Sequence, residues 1–122
     1  MNVYDRAYEL ARALKKSDEY RALLEARARV EEDPKNKEML LEFKKRQLKI
    51  QKERLLGREV DEAELRRLEQ LSELVNLNPT LKEFLSAEFR FTRLMGDIQK
   101  ILSEPLSEWL QMTEEMFGSE KE

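Results

Sequence analysis

The chain has 122 residues, room for one domain, and contains no cysteine and no histidine, which excludes disulfides, thiolate-held metals and imidazole acid-base chemistry. With 40% charged residues, 40% hydrophobic residues and only three glycines and three prolines, it has the composition of a helical, salt-bridge-laced protein and not of a disordered one. The net charge of −3 sets no global bias towards nucleic acid, and neither a run of about 18 apolar residues nor a signal-like amino terminus is present, so a cytoplasmic protein without membrane insertion is expected.

Val3, Ala7, Leu10, Ala11 and Leu14 recur at helical spacing, with Tyr4 and Tyr8 on one flank, and predict a first amphipathic helix over 3–16. Ser17 and Asp18 supply cap oxygens for a second helix over 19–32. There Ala22, Ala26 and Ala28 permit close approach of a neighbour. Asp33 followed by Pro34 is a helix start, and no glycine or proline intervenes before Gly57. The resulting helix, 33–56, carries two seams: Leu41, Leu48 and Leu55 on one line, and Met39, Phe43 and Ile50 on another. One helix therefore has two neighbours to satisfy. Gly57 is expected to end it in the left-handed conformation.

Asp61 caps the next helix, with Glu64 placed as in a capping box and Leu65, Leu68, Leu71, Leu74 and Val75 facing inward. Asn78 with Pro79 repeats the start seen at Asp33 and opens the most apolar helix, about 79–102, which is expected to lie at the centre, covered on several sides. Pro105 then starts or kinks a last segment, about 105–117, bearing Leu106, Trp109, Leu110, Thr113, Met116 and Phe117 on one face. Residues 118–122 read as a disordered tail. The expectation is an all-α, small helical bundle with long antiparallel helices, a single domain over 1–117, folding to bury about two-thirds of its unfolded surface.

Three places could carry function. Glu88 falls within the apolar arc of the long helix, and Lys44, Arg54, Gln47 and Gln51 lie between the two seams; together they read as a candidate buried polar network. A lone carboxylate without a second matched group gives no basis for acid-base catalysis. The basic run from Lys44 to Arg58 is opposed only by Glu53. It is read as a solvated face answered by acids elsewhere, with Lys45, Lys49 and Lys52 as the alternative, a face for RNA or DNA. The segment after Pro105 either presents a docking surface for a protein, or secondarily a membrane face, or folds back to close the core of the protomer or of a dimer. Isolated glycines exclude a phosphate-binding loop, and neighbouring acid pairs supply too few converging oxygens for a hard cation, so no catalytic, cofactor or metal residues are assigned.

The order of features resembles the YlbF/YmcA family, its YheA-like branch above all. The residues that carry the resemblance are Val3-Tyr4-Asp5, Glu9-Leu10, Ala13-Leu14, Ser17, Glu19-Tyr20, Asp33-Pro34, Glu42-Phe43, Gln47, Gln51, Gly57 with Glu59, Asn78, Leu85, Ala87-Glu88, Ile101 and Pro105-Leu106. They span about residues 2–110. The resemblance implies a helical protomer that dimerises and acts through protein contacts, non-enzymatic, with relatives that influence RNase Y and so RNA maturation, competence, sporulation and biofilm formation. Cysteine-held iron-sulfur clusters linked to those relatives cannot be carried over, since this chain has no cysteine. The partners expected are a second copy of the chain and another protein. The surface for them is Leu41, Leu48, Leu55, Leu106, Trp109, Leu110, Met116 and Phe117.

Overall fold

Each long helix begins where a side-chain oxygen is available to close its first turn. In the computed structural model, which describes residues 2–118, Asn2 caps α1 (Val3–Lys15), Ser17 caps α2 (Asp18–Glu31) and Asp33 caps α3 (Pro34–Leu55). Asp61 caps α4 (Glu62–Leu77) and Asn78 caps α5 (Pro79–Ser103), and a 3₁₀ turn, Glu104–Leu106, leads into α6 (Ser107–Gly118). No strand occurs among the described residues. Gly57 adopts φ 70°, and the amides of Gly57 and Arg58 donate back to the carbonyls of Arg54 and Glu53 at 3.1 and 2.9 Å. That pair of reversed bonds is a complete Schellman ending, which a residue with a Cβ would strain.

Asn78 does the most work of any cap. Its Oδ1 accepts from the amides of Thr80 and Leu81 at 3.1 and 3.2 Å, while its Nδ2 donates to Asn36 Oδ1 at 2.8 Å. The two Asx-Pro helix starts are thereby tied side by side. The capping box expected at α4 is only half made: Asp61 accepts from Ala63 N at 3.0 Å, but Glu64 reaches across to α3 instead of back to the cap.

Helices α2 to α5 form the bundle. Its core is Val30, Leu40, Phe43, Leu71, Val75 and Leu81, with Met39, Leu68, Phe84 and Leu85 packed around it, and Ala26, Ile50 and Ala87 also buried. α2 runs antiparallel along α5, the most extensive helix pairing in the fold. Tyr20 stacks at a tilt on Phe91 with 5.5 Å between ring centres, and Val30 shares the core with Leu81. Ala26 of α2 and Ala87 of α5 are both buried, small side chains of the kind that permit close helix approach. Ala28, by contrast, faces solvent.

α1 forms where the spacing placed it, but it buries no residue, and its Val3, Tyr4 and Tyr8 are exposed, because little beyond the start of α2 lies against it. Three expectations are corrected. α5 is central only in its first half: Leu81 and Ala87 are its buried residues, while Phe89, Ile101 and Leu102 are exposed. Gly118 belongs to α6; the remainder of the expected tail, 119–122, lies outside the described residues. The accessible surface is 10,347 Å², against about 6,900 Å² for a compact protein of this mass, so the fold buries nearer half of the unfolded surface than two-thirds. The shortfall lies in α1, the far half of α5 and α6, which extend beyond the four-helix core.

Candidate functional site

Lys44 on α3 and Glu88 on α5 meet as an ion pair at the edge of the core. The wider buried network expected around Glu88 does not form: Gln51 and Arg54 are exposed, Gln47 is half-buried, and no polar or charged residue of the described chain is buried. Arg54 lies in the last turn of α3, past the part of the helix that the bundle covers. The pair itself keeps 37% and 35% of its side chains exposed, so its charges retain much of their hydration. Beside it is a depression of about 360 Å³ with an apolar floor of Val30, Leu40 and Phe84 and a charged rim that includes Lys37 and Glu31. Leu41 forms one wall of this depression and also of a second, about 540 Å³, between α3 and α4. It stands as a ridge between two hollows.

The basic side of α3 is answered in part by acids on its own helix and on α4. Glu42 Oε1 accepts from Arg46 Nε at 3.3 Å and from Arg67 Nε and Nη2 at 3.2 and 3.0 Å. Arg46 Nη1 and Lys49 Nζ both donate to Glu64, at 3.0 and 3.2 Å. The hydrogen bond from Arg67, reinforced by the nearby guanidinium charges and opposed by partial burial, holds the Glu42 carboxyl below the ordinary glutamate range. Of the proposed nucleic-acid residues, Lys49 is thus engaged. Lys45 and Lys52 are exposed and carry no ion pair among the described residues. The five-group network from Arg67 to Lys49 was only partly legible in advance: the Glu42–Arg46 spacing of four was visible, the α4 partners were not.

The apolar candidates all lie open. Leu41, Leu48 and Leu55 are 51%, 67% and 88% exposed, a gradient that follows α3 outwards from the core. Leu106, Trp109, Leu110, Met116 and Phe117 are each exposed by about half or more. α6 buries no residue, and its contacts are chiefly with the 3₁₀ turn before it. The alternative in which the last segment closes its own core is not what the protomer does. Sequence reasoning missed that Val3, Tyr4, Tyr8, Phe89, Ile101 and Leu102 join this open surface, because periodicity marks an apolar face without saying whether anything covers it. No helix among the described residues is long and apolar enough to cross a membrane.

Residues 3–107 match the protein family described as "Control of competence regulator ComK, YlbF/YmcA". A "UPF0342 protein" of Caldicellulosiruptor saccharolyticus is 42% identical over 117 residues, covering 96% of this chain and 94% of that one. Another, from Halothermothrix orenii, is 42% identical over 102 residues, covering 84% and 86%. Among solved structures, a Bacillus stearothermophilus protein of unknown function (DUF964) superposes with a TM-score of 0.74 at 21% identity, covering 87% of this chain and 93% of that one, a likeness of fold. These matches cover most of the chain, and this chain belongs to the YlbF/YmcA family.

Proposed function

We propose that this chain is a non-enzymatic cytoplasmic regulator that works as a homodimer and through contacts with another protein, in the way its family is described as controlling ComK, with RNase Y-linked RNA maturation as the process it modulates. The observation that supports the reading is the excess surface. An accessible area of 10,347 Å² leaves roughly 3,400 Å² beyond that of a compact monomer. A standard interface takes about 800 Å² from each partner. Large apolar side chains such as Tyr4, Phe89, Ile101 and Trp109 are among the exposed residues, and apolar side chains left open in such number favour association.

Light scattering at micromolar concentration tests the dimer: the expected mass is twice 14.6 kDa, and a protein that stays monomeric throughout overturns it. Deletion of the gene in its native bacterium should alter the processing of RNase Y-dependent transcripts; unaltered transcripts remove the proposed process. The competing reading, RNA or DNA held by Lys45, Lys49 and Lys52, draws on the two unpaired lysines but is weakened by the engagement of Lys49 with Glu64. Binding of labelled RNA that falls steeply with salt and is lost on charge reversal at those lysines would favour it.

A further inference from the structure

The outward seam of α3 is more than a row of leucines. Leu41, Lys45, Leu48, Lys52 and Leu55 alternate at spacings of four and three, the spacing of a coiled-coil strip, along about 21 Å of helix. The three leucines are exposed. Lys44, Arg46 and Lys49 are each held by a carboxylate, while Lys45 and Lys52, which lie on the strip, have no ion-pair partner among the described residues. The strip therefore offers apolar contact together with two unanswered positive charges.

α6 is its complement. It has 12 residues, about 18 Å of helix, and at 100° per residue Trp109, Leu110, Thr113, Met116 and Phe117 share one face with Glu114 at its edge, while Glu108 lies on the far side. Between Ser103 and Gly118 there is no basic residue, and none of the acids there has an ion-pair partner among the described residues. Length, apolar face and sign of charge all match the α3 strip. The backbone stays in the right-handed helical region at Ser103, Glu104 and Ser107, so α6 carries on from α5 instead of turning back. Reaching its own α3 would require a reversal that the 3₁₀ turn does not make.

We propose that α6 of one copy docks on the Leu41–Leu55 strip of a second copy, and reciprocally, with Glu114 at the edge of its apolar face set beside Lys45 and Lys52. This deepens the homodimer reading and rests on it. In a two-fold dimer the contact is made twice, which suits a helix too short to hold a partner alone.

The chain has no cysteine, which makes directed cross-linking clean. Leu48→Cys in one preparation and Leu110→Cys in another, mixed in the full chain and oxidised, should give a disulfide-linked pair, with Arg66→Cys, on exposed α4 surface, as a control that does not link. Lys45→Glu with Lys52→Glu should weaken self-association about tenfold at low salt, and adding Glu114→Lys should recover about threefold of that loss. These positions are exposed, and circular dichroism checks that each variant is folded. A Leu48→Cys/Leu110→Cys chain that links only within itself overturns the second copy as occupant. A dimer that persists without cross-linking and ignores the charge reversal overturns the strip as the seat of α6 while leaving the dimer standing. A monomer at every concentration overturns both. RNA binding abolished by the lysine reversals, with dimerisation unchanged, assigns the strip to RNA and overturns the proposal.

Discussion

Leu81 should be the most sensitive leucine in the chain. It has no exposed surface and sits in the first turn of α5, in one cluster with Val30, Leu40, Phe43, Leu71 and Val75, so it touches the core contributed by all four bundle helices. Leu81→Ala removes the side chain's transfer free energy and leaves a cavity whose walls belong to four separately capped helices, which limits collapse. A loss of about 3 kcal/mol follows, within the range of roughly 2–5 kcal/mol for such truncations. For a domain of this size that is roughly 10–15 °C in melting temperature. The assay is urea unfolding followed by far-ultraviolet circular dichroism, because Trp109 lies exposed on α6 and reports poorly on the core. Leu48→Ala serves as the comparison: at 67% exposure it should change the stability of the isolated protomer by no more than about 0.5 kcal/mol. An unchanged midpoint for Leu81→Ala would refute the assignment of the core.

Other consequences are as direct. A double-mutant cycle on Lys44 and Glu88 should return a coupling below about 1 kcal/mol, since both side chains keep over a third of their surface in water; coupling of several kcal/mol would mean that the pair is dry. Glu42 has a depressed pKa, so its contribution is complete above the ordinary glutamate range and is lost as pH falls through the depressed value. Glu42→Gln should therefore flatten that part of the acid-unfolding curve, and an acid limb identical to that of the parent chain would count against the Arg67 contact. Gly57→Ala, at φ 70° with open space where the Cβ would go, should cost about 1 kcal/mol in thermal melts from backbone strain alone, and Gly57→Asn less. Equal melting of the three proteins would remove the strain argument.

The local grammar of the chain was legible without coordinates. Asp33-Pro34, Asn78-Pro79, Asp61 and Gly57 mark helix ends because the oxygen or the missing Cβ acts on amides a few residues away, and such short-range chemistry is written in the order of residues. The two α3 seams were legible for the same reason, and one of them, through Phe43 and Ile50, is in the core. The partner of Glu88 was found among the residues named for it, whereas Arg54 and Gln51 were misplaced because periodicity gives a direction around a helix and not the point along it where cover ends.

What only the tertiary structure decided is which apolar faces are covered. The hydrophobic pattern of α1, the far half of α5 and α6 is indistinguishable from that of a core helix, since amphipathic spacing records a preference for burial and not the neighbour that satisfies it. Whether Glu64 would close its own helix or reach to Arg46 and Lys49 was likewise settled by the α3–α4 pairing, which sets cations nearer than the cap. Composition and order determined that the chain is helical and where each helix starts and stops. The packing of α2 against α5 and α3 against α4 determined that four helices share a core while two remain outside it, because burial depends on what the rest of the chain brings within van der Waals reach.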